Sequence, residues 1–233
     1  MGTFLEPKEL RNTFLNIISQ NARRFSHEKE EEFIECMGKC NVWAACLQET
    51  WRIEQNSWEN NGYTFLHNGL DVKPCARGAQ GVAIVLGPKA KIAWEQAGCQ
   101  RLYFGTRIVA TRLKLVDATN RSLVIFLVSS YAPDSSRPSG EHEEFEMHKQ
   151  RCYNCVRSGE ILVEGTDANA SLGTRNRHDN REALDRDRVT GPHGISYVNA
   201  AGKSLLQILG MNGLCVPTSY FRKSGVHHMD TSS

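Results

Sequence analysis

The chain has 233 residues, 40% of them hydrophobic, a formal net charge of +2 and an isoelectric point near 8.1. That length suits one β-rich domain with a sizeable core, and near-neutrality gives no global argument for nucleic-acid binding, so such a claim must rest on a local site. The longest apolar run, residues 123–128, is far shorter than the roughly 20 residues a membrane-crossing helix needs.

Residues 1–13 read as an N-terminal extension. They lack the basic region and apolar stretch of a secretory signal, and Glu6 stands where a myristoylation signal carries Ser or Thr. The expected location is therefore intracellular, nucleus or cytoplasm. The eight cysteines accordingly read as reduced thiols, several packed as small apolar residues.

Residues 14–19 (FLNIIS) predict a buried strand. Ser26 is a good N-cap, and Glu28 and Glu30 suit the positive end of a helix dipole. Phe33, Ile34 and Met37 recur at helical spacing and Gly38 reads as the stop. Strands are predicted over 42–47, 63–66, 82–86, 107–116 and 123–130, with turns at Gly87-Pro88 and over 117–121. A helix follows over 141–157, a short buried strand over 161–163, a helix over 203–209 and a strand over 214–216. Ile17, Val42, Ala44, Val85, Leu127 and Leu162 are the expected core. Strand runs without regular βα alternation point to an α+β domain with stacked sheets.

Four polar clusters stand at the ends of these strands: Gln20-Asn21, Leu47 to Thr50 (LQET), Ser129 to Pro133 (SSYAP) and Gly165 to Ala170 (GTDANA). Their residue types suit phosphate-ester chemistry. Glu49 can seat a hard cation, which needs few carboxylates and keeps its waters. Asn21 and Asn169 can donate to phosphate oxygens, Asp167 can polarise a water, and Tyr131 offers a phenol donor. Taken singly, each has a plain reading: a solvated turn carboxylate, an Asx turn, a strand ending before proline. Cys152 and Cys155 have the spacing of half a zinc site, with His142 and His148 upstream, but no second compact ligand pair follows, and a helix that merely carries two cysteines is the preferred reading.

The order N…LQET…YAP…DxNA…GxHG…NxxGxxLL resembles the endonuclease/exonuclease/phosphatase superfamily, the deoxyribonuclease I-like proteins. The stretches at 76–90, 127–135, 166–173 and 191–221 resemble the endonuclease domains of LINE-type non-LTR retrotransposons and craniofacial development protein 2-like sequences. The resemblance implies a domain over 14–221. It implies a four-layer α/β-sandwich of two stacked, mainly antiparallel sheets flanked by helices, and phosphodiester hydrolysis dependent on magnesium or manganese, with DNA as substrate. By the same resemblance Glu49 is the metal ligand, Asn21 and Tyr131 support the metal and the scissile phosphate, Asp167 orients or activates water, and Asn169 holds the phosphate.

The sequence departs from the pattern twice. One residue, Thr166, is inserted between the motif's Gly and Asp. The tail over 222–233 replaces the family's last strands, so the catalytic His and its Asp partner are expected to be missing. His227, His228 and Asp230 are not assigned those roles. A truncated, weakly active or inactive chain is the expectation, with slower plasmid nicking than a version carrying the closing strands. Arg175 and Arg177, in a mixed-charge insert, are candidate contacts to a nucleic-acid backbone. A non-catalytic decayed fragment or binding module on the same fold is the first alternative function, and a phosphatase of a small phosphoester the second.

Overall fold

A computed structural model describes residues 15–70, 80–116, 120–173, 189–194 and 197–221. They fall into two compact units that meet in sequence between Ala168 and Asn169. The first unit holds two mixed sheets. One has the order β1-β2-β5-β4-β3, from β1 (Ile17–Asn21), β2 (Ala44–Gln48), β3 (Asn56–Asn60), β4 (Tyr63–Asn68) and β5 (Val82–Leu86). The other has the order β6-β7-β8-β9, from β6 (Leu102–Phe104), β7 (Ile108–Val116), β8 (Ser122–Tyr131) and β9 (Glu160–Asp167). The pairs β1–β2 and β8–β9 are parallel, and the other pairs are antiparallel.

Strand alternation sorts the side chains into three packed layers. Between the sheets lie Ala44, Cys46, Leu66, Val82, Ile84 and Leu86 from one side and Val109, Leu113, Ile125 and Leu127 from the other. Helix α1 (His27–Lys39) covers the first sheet's outer face, with Ile34 and Met37 against Ala45, Leu47, Phe65 and Val85. Helix α3 (Ser139–Tyr153) covers the second sheet's outer face, with Phe145 and Cys152 against Ala110, Phe126 and Val128. Helix, sheet, sheet, helix is the expected four-layer α+β arrangement. No helix among the described residues is long and apolar enough to cross a membrane.

Several local expectations are corrected. Ala44, Val85 and Leu127 are buried as expected, but Ile17, Val42 and Leu162 are only half-buried. Ile17 and Leu162 lie on β1 and β9, the outermost strands of their sheets among the described residues, where one flank has no strand to cover it. The strand read over 14–19 starts later, at Ile17, and the one read over 161–163 runs the full length of β9. Gly38 does not stop α1, which continues to Lys39 with Cys40 as its C-cap, while Ser26 caps the start as expected, accepting from the Lys29 N–H. Gly87-Pro88 is a helix start rather than a turn. Pro88 occupies the first turn of α2 (Pro88–Gln96), where its missing N–H costs nothing. The helix read over 141–157 starts earlier and ends at Tyr153. In place of the strand over 214–216 stands a single bridge from Val216 to Thr190.

The second unit contains α4 (Ala200–Met211) and a 3-10 turn, Pro217–Tyr220. The Asn199 side chain caps α4, accepting from Gly202 N at 2.7 Å and from Ser171 N at 3.1 Å. Gly191 N donates to Ser219 Oγ at 2.7 Å. The Gly191, Asn199 and Gly202 pattern in the sequence is thus at least partly an architectural one.

Candidate active site

Two parallel pairs, one in each sheet, bring four strand ends to one edge of the first unit: Asn21, Gln48, Tyr131 and Asp167. Towards that edge the apolar inter-sheet layer gives way to a polar tier. Ser19 Oγ donates to Gln48 Oε1 at 3.3 Å, and Gln48 Nε2 donates to Ser129 Oγ at 3.4 Å and to Gly165 O at 3.2 Å. Ser129 Oγ donates to Leu47 O at 3.1 Å. Gln48 and Ser129 are 1% and 0% exposed, so these bonds replace lost water and fix the spacing of the two sheets at the rim. The Gly165-Thr166-Asp167 insertion causes no bulge: these residues pair in unbroken register with Ser129, Ser130 and Tyr131.

Above this tier the Asn21 amide sits between two carboxylates. Its Nδ2 donates to Glu49 Oε1 at 2.6 Å and to Asp167 Oδ2 at 2.8 Å. The amide's orientation follows from its other end, since Oδ1 accepts the Arg23 backbone N–H at 3.0 Å and so must be the oxygen. Glu49, next after β2, has φ +52°, a left-handed conformation uncommon outside glycine and often retained at functional sites. Tyr131 lies opposite Asp167 in the β8–β9 register, half-buried, with the Arg107 guanidinium 5.4 Å from its ring centroid. Arg107 is anchored in turn by Glu141 at 3.1 Å.

The structure therefore brings Asn21, Glu49 and Asp167 together and sets Tyr131 on the same edge. Asn169 opens the second unit, two residues along the chain from Asp167, with φ +44°. Arg175 and Arg177, and the tail with His227, His228 and Asp230, lie outside the described residues. Among the described residues no group of three or more His, Cys, Asp or Glu side chains converges as a metal cage. Cys152 is buried against Phe145 and Phe126, and Cys155 Sγ donates to Arg151 O. Two carboxylates on one amide still fit magnesium or manganese, hard cations that take one or two carboxylates and complete their shell with water and substrate oxygens.

Sequence reading missed three features. Arg23 and Arg24, separated from Asn21 by Ala22 alone, are exposed with φ +40° and +73°, and neither has an ion-pair partner among the described residues. The signal was plain in the sequence, two arginines following the first motif. Arg107 beneath Tyr131 carried no such signal. The third is His67, 1% exposed at the end of β4. Its Nδ1 lies 2.8 Å from Glu54 O, and a carbonyl only accepts, so Nδ1 carries the proton and Nε2 accepts from Thr50 Oγ1 at 2.9 Å.

Burial pushes the His67 pKa down to about 4; the bond to Glu54 offsets part of this, and the Arg52 charge adds a smaller push downward. The unfolded chain takes up that proton near pH 6.5, so the neutral ring's contribution is complete above about pH 6.5 and is lost as pH falls towards 4. Denaturant unfolding should therefore show about 2 kcal/mol less stability at pH 5 than at pH 7. Glu30, Asp134 and Glu160 are held below ordinary carboxylate values, so their contributions are present above that range and change little between pH 7 and 5. His67→Gln should flatten the slope; an unchanged slope would show that another group carries it.

No protein-family model matches the sequence, and no curated protein matches it. Solved structures do. An AP endonuclease from Archaeoglobus fulgidus aligns with a TM-score of 0.53 at 16% identity, over 85% of this chain and 71% of that one. The AP endonuclease LMAP from Leishmania major aligns with a TM-score of 0.50 at 14% identity, over 84% of this chain and 65% of that one. At such identities the likeness is one of fold, and the fold is deoxyribonuclease I-like.

Proposed function

We propose that this chain, built on the deoxyribonuclease I-like fold, hydrolyses a DNA phosphodiester with a bound divalent cation, magnesium or manganese. The observation that carries the reading is the Asn21 amide held between the Glu49 and Asp167 carboxylates. Glu49 is the proposed metal ligand; when bound, the cation supplies Lewis-acid stabilisation of charge on the phosphate. Asp167 accepts a hydrogen bond from the attacking water and orients it in line with the phosphorus. Asn21 holds the two carboxylates in fixed relation, so that neither must reorganise as charge moves. Tyr131 donates its phenol O–H to a phosphate oxygen, and Asn169 keeps the phosphate-donor role that the Asp-x-Asn motif implies. The retrotransposon-endonuclease type of this activity rests on the sequence resemblance over 191–221.

Arg23 and Arg24 favour a polyanion over a small phosphoester, because exposed cations flanking the rim gain most from a continuous phosphate backbone. The test is nicking of supercoiled plasmid. At most weak nicking is expected with magnesium, and it should disappear in EDTA. The R23E/R24E variant should bind duplex DNA more weakly, with the slope of log affinity against log salt reduced by about 2. Absence of metal-dependent nicking would favour a non-catalytic module, and cleavage of small phosphoesters alone would favour a phosphatase.

A further inference from the structure

We infer that Thr50 and His67 are positioning residues that hold Glu49 in its metal-binding pose through the chain that follows it. The inference rests on the proposed role of Glu49 as ligand. Its own support is the way the chain turns at the end of β2. Glu49 and Trp51 have φ +52° and +56°, so the chain takes two left-handed steps on either side of Thr50. Each such step costs about 1–3 kcal/mol and persists only where neighbours over-determine it.

Thr50, 1% exposed, supplies those constraints. Its N–H donates to Gly81 O at 3.0 Å, its carbonyl accepts Phe25 N at 2.9 Å, and its hydroxyl donates to His67 Nε2 at 2.9 Å. All three of its polar groups are thus engaged, on three different segments. Gly81 leaves the room this needs: a Cβ there would stand 2.3 Å from Thr50 Oγ1. His67 is fixed in the accepting tautomer by Glu54 O, so it can receive only from Thr50. Further along, Arg52 Nε donates to Phe25 O at 2.9 Å and Nη2 to the buried Glu30 carboxylate at 2.6 Å. The segment from 50 to 54 is thus tied down at Thr50, Arg52 and Glu54, leaving Glu49 the residue that projects at the rim.

Ligand-supporting contacts of this kind are worth roughly 10- to 100-fold in metal affinity. The readout is binding of manganese to the full chain, followed by the electron paramagnetic resonance signal of the free ion, so that no turnover is needed. Thr50→Val keeps the shape and removes the hydroxyl, and should weaken binding about tenfold or more, while Thr50→Ser should restore it. His67 gives a second contrast that does not depend on the Thr50 variants folding. H67Q keeps an acceptor near the Nε2 position and should bind within about threefold of the parent, whereas H67N keeps only the donor to Glu54 and should bind about tenfold more weakly. Equal affinities for Thr50→Val and the parent, or for H67Q and H67N, with binding lost in E49Q, would overturn the positioning role and leave the metal reading standing. Undiminished binding in E49Q would overturn both.

Discussion

Glu49→Gln and Asp167→Asn should each lower metal-dependent plasmid nicking by about 100- to 1,000-fold while leaving the fold as stable as before or slightly more so. The activity loss follows from what the two carboxylates are proposed to do. Removing a metal ligand or a group that orients the nucleophile forfeits several kcal/mol of transition-state stabilisation. The stability expectation follows from the geometry. Both carboxylates crowd one amide nitrogen, at 2.6 and 2.8 Å, so neutralising either relieves repulsion without opening a cavity. Active sites often hold such locally unfavourable arrangements at the expense of stability. The measurements are nicking rates in magnesium and denaturant midpoints for the same preparations. A variant that nicks at the parental rate removes that residue from the chemistry; one that loses activity together with stability shows a structural role instead.

Gly165→Val is expected to be the most damaging substitution in the first unit, costing about 3 kcal/mol or more. Even a methyl group at this position would place its carbon 2.4 Å from the Cys46 Cβ and 3.0 Å from the Ser19 Cβ. Those atoms belong to the first sheet's backbone-anchored positions, so no side-chain rotation makes room; the sheets must part. Parting them also stretches the bonds from Gln48 to Ser129 and to Gly165 O beneath the site. For a chain of this size the thermal midpoint should fall by about 6–12 °C, at roughly 2–4 °C per kcal/mol. Val163→Ala, on the same face but only partly buried, is the control and should cost far less. A Gly165→Val protein as stable as its parent would mean that the two sheets do not approach as closely as they do here.

Local chemistry in the sequence was enough to identify most strands and the residues that gather at their ends. The β-branched runs of β5, β7 and β8, the Ser26 cap and the polar endings at Asn21, Glu49, Tyr131 and Asp167 are all short-range signals, and their order along the chain carried the family resemblance. Half-burial of Ile17 and Leu162 was not legible, because an apolar residue reads alike on a central and an outermost strand. Nor was α2, whose Gly-Pro start looks the same as a turn until the helix behind it packs on β4, β5 and β7. Gln48 and Ser129 looked like ordinary strand-end polar residues; only the closure of two sheets makes them a buried tier. His67 lies 17 positions from Thr50, and Asn21 lies 146 from Asp167. Bonds across such separations depend on register and sheet stacking, which no local propensity encodes. The sequence by itself determined which groups are present and which strand each one ends; the parallel pairings and the close approach of the sheets at Gly165 decided that they meet, and in what geometry.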